Sequence, residues 1–299
     1  MTDSAHRSGS VALVGRPNVG KSTLLNALVG QKVSIVSPKP QTTRHRIAGV
    51  VTRPGFQVTF LDTPGLHGGV ARRLNQAMNR AALGTLAEAD LLVLVVDATR
   101  WTEEDETALS RLKSAGRPAM LVVNKVDRVR PREKLLPLLQ TLAGKHDFLD
   151  VVPVSALRGE NLERLLALIA SRLPEGPPAW PEDQVTDRSE RFLAAEVVRE
   201  KLTLVVRDEL PYGLTVEIER WEEDEAEGRA LVGAVIWVER EGQRRIVIGE
   251  RGERLKQVGQ AARLELNELL GRRIHLELWV KVRENWADSE SALRQFGYD

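Results

Sequence analysis

The stretch "GRPNVGKST" (residues 15–23) decides the fold of the first part of the chain, because it follows an apolar run and opens a helical pattern. Gly15, Gly20, Lys21 and Ser22 match the motif G-x-x-x-x-G-K-[ST] in the strand-to-helix context that it requires. Glycines let backbone N–H groups turn toward phosphate oxygens, and a helix N-terminus adds positive potential. The predicted nucleotide-binding residues are Gly15, Arg16, Pro17, Asn18, Val19, Gly20, Lys21, Ser22 and Thr23.

Two side chains of this loop carry the expected phosphate chemistry. Lys21 is predicted to reach the β- and γ-phosphates, and the Ser22 hydroxyl is predicted to ligate Mg²⁺. The alternative is a glycine-rich turn that arose by chance, which the strand-to-helix context disfavours. The loop alone indicates a nucleotide phosphate but not which base is bound.

Short β-rich runs alternate with helical patterns through the first part of the chain, which predicts a doubly wound, mostly parallel α/β sheet. Two of the runs follow each other directly and predict a hairpin. Strands are expected at 10–15, 46–52, 56–63, 90–98, 118–125 and 150–156, and helices at 21–29, 72–88, 103–115, 132–145 and 160–172.

Composition limits the function classes. The 299 residues include 43 basic and 42 acidic side chains, so the whole-chain charge of +1 favours neither nucleic acid nor membrane. The absence of cysteine excludes disulfides, thiolate catalysis and cysteine-ligated zinc. No apolar run approaches the length of about 18 residues that a membrane span needs, so we expect a soluble chain.

The pattern changes at "LPEGPPAWPEDQ" (173–184), whose four prolines predict a stiff linker between domains. We expect a disordered N-terminus over 1–9, a first domain over 10–172, and a second, smaller α+β domain over 185–299. The second domain is expected to begin with a helix at 187–207 and to end with the strand 273–282.

The sequence "DTPG" (62–65) follows a strand that is apolar on both faces. Asp62 is placed to hold Mg²⁺ through water, and the Gly65 N–H is placed near a γ-phosphate. An ordinary β-turn is the alternative, but the spacing after the phosphate loop favours the nucleotide site. The predicted nucleotide-binding residues of this element are Asp62, Thr63, Pro64 and Gly65.

The sequence "NKVD" (124–127) predicts the choice of base. A carboxylate at Asp127 accepts hydrogen bonds from guanine N1–H and the exocyclic amine, a donor pair that adenine lacks. Asn124 is expected to brace the loop, and the Lys125 stem to pack on the ring. In "VSA" (154–156), the Ala156 N–H can serve guanine O6, and Ser155 completes the predicted base site.

These elements, in this order, resemble a small GTPase domain of the translation-factor-related class over residues 10–172. The resemblance implies that a threonine of the first switch loop ligates Mg²⁺ when GTP is bound. Thr42 and Thr43 are the candidates, and Thr43 is preferred because it stands directly before an arginine. The resemblance implies Lys21, Thr43 and Gly65 as catalytic residues and Ser22, Thr43 and Asp62 as Mg²⁺ ligands.

Leu66 occupies the position where Ras-type GTPases have the glutamine that orients water, so we expect slow intrinsic hydrolysis by another route. His67 is a candidate base, although a loop histidine is more often simply solvated. Asn18 matches an asparagine that helps to hold K⁺ at the phosphates in similar GTPases, where an arginine finger would otherwise lie. The resemblance therefore implies a potassium site.

Gly249 to Gly252 form a GxxG loop that follows an apolar run, which reads as a strand, and precedes a helix. Such a loop lets the backbone approach the sugar–phosphate chain of single-stranded RNA. Ile246 and the apolar helix face are expected to floor a groove, while Glu250 is an acid where a base would suit phosphate better. The predicted RNA-binding residues are Ile248, Gly249, Glu250, Arg251, Gly252, Arg254, Leu255 and Lys256, and the expected apolar face is Leu255, Val258, Ala262, Leu266 and Leu269. A plain strand-turn-helix is the alternative.

The order helix–strand–strand–helix–GxxG–helix–strand resembles a type II KH domain, and the whole chain resembles the Era family. That resemblance implies a cytoplasmic, monomeric GTPase that binds the 3′ region of 16S rRNA and assists maturation of the small (30S) ribosomal subunit. It also implies that the protein can associate weakly with the inner face of the cell membrane. The alternative is a membrane-associated regulatory GTPase whose C-terminal domain is an interaction scaffold.

Overall fold

The structure is a computed structural model, and it describes residues 6–39, 42–64, 72–206, 210–224 and 227–298. The chain divides into two compact units. The first contains Met1–Ser34, Thr43–Gly69 and Met78–Asp187, and the second contains Ile35–Thr42, Val70–Ala77 and Arg188–Asp299. Each unit has its own sheet and its own core.

A six-stranded sheet in the order β2-β3-β1-β4-β5-β6 forms the centre of the first unit. Every neighbouring pair is parallel except β2 with β3, which form the expected hairpin. The strands are β1 Arg7–Val14, β2 Ile47–Arg53, β3 Phe56–Asp62, β4 Leu91–Asp97, β5 Ala119–Asn124 and β6 Val151–Pro153. All residues of β4 and β5 are buried, because helices cover both faces of a parallel sheet. The predicted doubly wound, mostly parallel fold is confirmed.

In the described part of the chain, four helices connect these strands and a fifth follows β6: α1 Lys21–Val29, α2 Arg73–Glu88, α3 Glu103–Ala115, α4 Leu135–Ala143 and α5 Leu162–Arg172. Helix α3 begins at a capping box, in which Thr102 and Asp105 satisfy each other's backbone N–H groups. In the first unit, β1, β3 and β5 end at Val14, Asp62 and Asn124 respectively, directly before or within the predicted nucleotide motifs. Parallel strands bring these ends to one edge of the sheet, where ligands of α/β folds bind.

Two predicted boundaries differ from the structure. Residues 7–9, which were expected to be disordered, lie in β1, where Arg7 to Gly9 pair with Phe56 to Val58 of β3. The proline-rich segment is not a free linker. Ala179 N–H and Trp180 N–H donate to Gln57 Oε1 at 2.8 and 2.9 Å, so this segment belongs to the first unit, which continues to Asp187.

The second unit is a three-stranded sheet with helices on it, in the order β7-β8-β9. Strands β7 (Leu214–Asp224) and β8 (Arg229–Val238) are antiparallel, whereas β8 and β9 (Arg273–Val282) are parallel. The helices are α6 Glu190–Val205, α7 Glu241–Ile248, α8 Glu253–Leu270 and α9 Glu290–Gln295. Alternate residues of β8 face α6 and α8 in the core, which confirms the predicted smaller α+β domain.

The prediction of a strand directly before the GxxG loop is wrong, because the apolar run lies in helix α7, as the type II KH order implies. The Gln243 side chain accepts the N–H groups of Glu239 and Arg240 at 2.8 and 3.2 Å and so starts the helix. Of the apolar trio 246–248, only Val247 is fully buried. Gln243, one helical turn before Val247, is half-buried, whereas residues 244–246 are exposed, so burial recurs at the i, i+4 spacing of a helix.

Two segments from earlier in the chain, Ile35–Thr42 and Val70–Ala77, also belong to the second unit, although the second domain was expected to begin at residue 185. The Arg73 N–H donates to Asp288 Oδ1 at 3.0 Å, and Arg72 pairs with Glu239 at 3.3 Å.

Among the residues that the structure describes, no helix has both the length and the apolar character needed to cross a membrane.

Candidate functional site

The hydroxyls of Ser22, Ser34 and Thr43 converge on one carboxylate oxygen, Asp62 Oδ2. Their oxygens lie 2.7, 3.0 and 3.2 Å from it, and Ser22 Oγ lies 2.9 Å from Thr43 Oγ1. The structure therefore brings together Ser22, Thr43 and Asp62, the residues predicted to ligate Mg²⁺. Thr42 is placed elsewhere, because its hydroxyl donates to Lys39 O at 2.7 Å.

This cluster fits a magnesium ion. Burial raises the pKa of Asp62, which marks a carboxylate that lacks a compensating positive charge of sufficient strength. Asp62 Oδ1 is buried and has no hydrogen-bond partner among the described residues. Mg²⁺ is usually held by one or two carboxylates together with hydroxyls, water and substrate phosphates, and this donor set matches that chemistry.

Lys21 lies folded across the phosphate-binding loop. Its Nζ donates to Gly15 O and Arg16 O at 2.8 and 3.0 Å, and burial lowers its pKa to about 8. A buried ammonium held by carbonyl oxygens is poised to exchange them for phosphate oxygens, which carry full charge. The Arg16 side chain instead donates from Nε to Asp105 Oδ2 at 2.9 Å, so Arg16 ties the loop to the start of α3.

Asn124 joins three predicted motifs at the base end of the site. Its Nδ2 donates to Val19 O at 2.9 Å, and its Oδ1 accepts from Lys125 N at 2.8 Å and from Ala156 N at 3.0 Å. A Cβ on Gly20 would lie 2.4 Å from Asn124 Nδ2, so only glycine allows this approach at the φ of 101° found there. The phosphate loop and the two base-recognition loops are thus held as one body.

The predicted base-recognition carboxylate is already oriented. Ser155 Oγ donates to Asp127 Oδ1 at 2.7 Å, which leaves Oδ2 to accept from a base edge. Lys125 spans the site: its Nζ donates to Asp97 Oδ2 at 2.7 Å and to Asn18 O at 2.5 Å. Its stem is thereby stretched between the phosphate loop and β4.

The remaining predicted nucleotide-site residues have mixed placements. Thr63 is buried and donates to Leu13 O at 3.1 Å, Pro64 is buried, and Thr23 is half-buried on α1. Pro17 O accepts from Arg16 Nη1 at 3.2 Å. Gly65, Leu66 and His67 lie outside the described residues.

The GxxG loop of the second unit connects α7 to α8. Gly249, Arg251 and Gly252 have φ values of 75°, 49° and 81°, so the backbone reverses direction within four residues. A Cβ on Gly249 would lie 2.7 Å from Arg254 Cβ, and the Arg254 guanidinium donates to Ile246 O. Arg251, Glu250 and Lys256 are exposed, so the loop presents a bare backbone flanked by charged side chains.

The prediction that the apolar face of α8 forms the floor of an open groove is wrong. Val258, Ala262 and Leu266 lie in the core of the second unit, and Leu255 and Leu269 pack against that core. They face inward because they support the sheet, so they do not floor an open groove. The exposed apolar side chain beside the loop is Ile246, at 49% exposure, with Ile248 half-buried next to it.

Two family descriptions match the chain. The one described as "50S ribosome-binding GTPase" matches residues 10–125, and the one described as "KH domain" matches residues 209–287. A curated relative, GTPase Era of Stenotrophomonas maltophilia (strain R551-3), is 54% identical over 295 residues, which are 98% of both chains. GTPase Era of Xanthomonas campestris pv. campestris (strain B100) is 55% identical over 296 residues, 99% of both chains.

The chain belongs to the Era family. Its resemblance to that family is therefore confirmed, and with it the GTPase domain, the KH domain and the hydrolysis of GTP as its activity. A solved Era structure, "in complex with MgGDPNP and nucleotides 1506-1542 of 16S ribosomal RNA", matches with a TM-score of 0.93 and 43% identity, covering 98% of this chain and 99% of that one. The structure of a point variant of Aquifex aeolicus Era bound to GDP.AlF4- matches with the same TM-score, identity and coverage.

Two side chains of this Era-family site were not predicted from the sequence. Ser34 reaches Asp62, and Asp97 pairs with Lys125. Burial acts to raise the pKa of Asp97, but hydrogen bonds from Lys125 and Thr99 outweigh it and hold the pKa below its ordinary value. Asp97 could have been found because it ends β4 at the ligand edge of the sheet. Nothing in the local sequence distinguishes Ser34.

Proposed function

We propose that this GTPase is a nucleotide-controlled switch that binds the 3′ region of 16S rRNA and assists maturation of the 30S ribosomal subunit. The observation that carries the proposal is the Era structure that holds MgGDPNP and 16S nucleotides 1506–1542, matched over 98% of this chain. The GxxG loop of the second unit, with two half-buried glycines and exposed Glu250 and Arg251 between them, supports it independently. GTP, GDP and rRNA are thus the proposed partners, and the protein acts as a cytoplasmic monomer.

In the proposed nucleotide site, each end of the ligand meets different groups. Lys21 gives up its two carbonyl partners and binds the β- and γ-phosphates. Asp127 accepts the guanine N1–H and amine, held in place by Ser155. The Ala156 N–H, which donates to Asn124 in the structure, turns toward guanine O6. The pre-formed hydrogen bonds reduce the reorganisation that binding requires.

Ser22, Thr43 and Asp62 are the residues that would hold Mg²⁺, which supplies neutralisation of the charge that develops on the phosphates. The chain's own contribution is positioning. Lys21 offsets the negative charge of the phosphates. Thr43, as a Mg²⁺ ligand, and Gly65, through its N–H, make their proposed contacts only when a γ-phosphate is bound. We propose slow intrinsic hydrolysis, because Leu66 cannot orient a water molecule as a glutamine does.

Asn18 is the residue that would help to hold a potassium ion at the proposed phosphate site. Asn18 has a φ of 63°, which turns the loop sharply beside the predicted phosphate position, and its carbonyl accepts from Lys125. A monovalent cation there supplies positive charge where other GTPases use an arginine finger. Replacement of K⁺ by Na⁺ at equal ionic strength is expected to lower kcat, and equal turnover in both salts would contradict this part of the proposal.

The RNA contacts are assigned to the GxxG loop and the start of α8. Gly249 and Gly252 let the sugar–phosphate chain approach the backbone, while Arg251 and Lys256 contribute positive charge. Ile246 offers an apolar surface to a base. Arg254 serves by holding the loop closed, since its guanidinium is bonded to Ile246 O. Glu250 lies in the loop, Ile248 before it and Leu255 after it, and they complete the proposed RNA-contacting surface.

Binding of a labelled oligonucleotide from the 3′ end of 16S rRNA tests the RNA assignment. Gly252→Asp places a carboxylate where phosphate is expected, and we predict a loss of binding of at least about tenfold. Gly271→Asp is the matched control: Gly271 ends the same helix, has a φ of 64°, and, like Gly252, has open space where a Cβ would be added. Equal binding by both variants would contradict the assignment, and GDP affinity should be unchanged in either.

A further inference from the structure

Helix α6 buries a row of polar side chains, which we call the polar stripe: Glu196, Arg199, Glu200 and Thr203. They recur at helical spacing and are 5, 2, 4 and 4% exposed. Burial of charged groups is unfavourable unless each is paired and hydrogen-bonded. Apolar residues at these positions would be buried without this loss of hydration free energy. We therefore expect the side chains of the polar stripe to bind specific partners.

The polar stripe holds the backbone at Val36 and Thr42, two residues of the segment 35–42 that belongs to the same unit. Glu200 Oε1 accepts the Val36 N–H at 2.8 Å. The Arg199 Nη2 donates to Thr42 O, so the stripe bonds both ends of the segment. Near the end of α6, Val206 O accepts from Lys39 Nζ.

Arg199 contacts Thr42, the residue directly before Thr43, and its side chain is itself held by hydrogen bonds. Its guanidinium forms a fork with Glu196, with Nε to Oε1 at 2.6 Å and Nη2 to Oε2 at 2.7 Å. Burial acts to lower the pKa of Arg199, but the Glu196 carboxylate outweighs it and the pKa lies above its ordinary value. The donor to Thr42 O is therefore charged and fixed in direction.

The Thr42 carbonyl and the Thr43 nitrogen belong to one peptide plane, which is rigid. A fixed carbonyl direction therefore limits where the Thr43 Cα and hydroxyl can lie. We propose that Arg199 is a positioning residue for GTP hydrolysis, because it fixes the 42–43 peptide plane and through it the Thr43 hydroxyl beside Ser22 and Asp62. This inference rests on the proposed function of Thr43 as a Mg²⁺ ligand.

Lysine cannot replace arginine in this role. A lysine at 199 keeps the positive charge, but it has no planar fork that can engage both Glu196 oxygens and Thr42 O in fixed directions. We expect Arg199→Lys to lower kcat about tenfold, the effect of losing one charged hydrogen bond that is needed in the transition state. GDP affinity should change less than about twofold, because GDP has no γ-phosphate for the Thr43 site to sense.

The experiment measures single-turnover GTP hydrolysis and GDP affinity with the full chain in four forms: unchanged, Arg199→Lys, Thr43→Ala, and both together. If Arg199 acts through Thr43, the double variant is as slow as Thr43→Ala alone. Multiplied losses in the double variant, or an unchanged kcat in Arg199→Lys, would overturn the inference. Arg191→Lys on the exposed side of α6 is the matched control and should hydrolyse GTP normally.

The same four proteins separate this inference from the function on which it rests. A normal kcat in Thr43→Ala refutes the proposed role of Thr43, whereas a defective Thr43→Ala beside a normal Arg199→Lys refutes the inference alone. If Arg199→Lys does not fold, Glu196→Gln replaces it, since the neutral amide keeps the size but loosens the fork. We expect a smaller loss of kcat with GDP affinity unchanged, and the loss should again vanish in the Thr43→Ala background.

Discussion

Replacement of Asn124 by alanine tests whether one side chain holds the base end of the site together. The change removes three buried hydrogen bonds, to Val19 O, Lys125 N and Ala156 N. Each such bond contributes about 0.5–1.5 kcal/mol net, so we expect the free energy of unfolding of the first unit to fall by about 3 kcal/mol. Because the three loops then move independently, GDP affinity should fall by at least about tenfold, which corresponds to about 1.4 kcal/mol.

Asn26→Ala is a matched control for this prediction. Asn26 also makes three hydrogen bonds, with Val33 N at 2.9 Å and with Ser34 N and Ser34 O at 3.0 and 2.7 Å, but it serves the segment after α1. Urea unfolding and GDP titration without Mg²⁺ compare the two variants, since removal of the metal excludes effects through Asp62. Both should lose stability, and only Asn124→Ala should lose guanine affinity. Normal GDP binding by Asn124→Ala would refute the reasoning.

Three further predictions concern single positions. Ser155→Ala removes the 2.7 Å bond that orients Asp127, so GDP affinity should fall about fivefold, or about 1 kcal/mol; an unchanged Kd in a fluorescence titration would contradict it. Asp62→Asn removes the carboxylate of the metal cluster, so the affinity for a GTP analogue should no longer respond to EDTA; a response as large as that of the unchanged protein would show that the metal lies elsewhere. Gly249→Ala should destabilise the second unit more than Gly252→Ala in urea unfolding. Both substitutions place an alanine at a positive φ, which costs about 1–3 kcal/mol. Only at 249 would the new Cβ also lie 2.7 Å from a side chain of α8. A larger loss of stability in Gly252→Ala than in Gly249→Ala would refute the prediction.

Much of the first unit could be predicted from the sequence because its signals are local. The short, valine-rich, continuously apolar runs of β4 and β5 are typical of strands that are covered on both faces. The phosphate motif between β1 and α1 fixes the backbone by its own glycines. The candidate metal and base residues follow strand ends, so their convergence follows from the parallel sheet.

The remaining features depend on contacts that the local sequence does not encode. The trio 246–248 is too short for its apolar pattern to separate a strand from a helix, and Gln243 decides for the helix. Ser34 joins the metal cluster only because Asn26 turns the intervening chain. Val36 and Thr42 are held by side chains of α6 that lie 164 and 157 residues later in the chain, and no periodicity signals such contacts.

The central claim, that nucleotide state controls RNA affinity, is tested most directly by one titration. The full chain is titrated with a labelled oligonucleotide that corresponds to 16S nucleotides 1506–1542, at fixed salt, once with GDP and Mg²⁺ and once with a non-hydrolysable GTP analogue and Mg²⁺. We predict tighter RNA binding in the GTP-like state. Because such coupling is reciprocal, RNA should raise the affinity for the analogue relative to that for GDP by the same factor. Equal RNA affinity in the two states would contradict the switch, even if RNA and GTP each bind well.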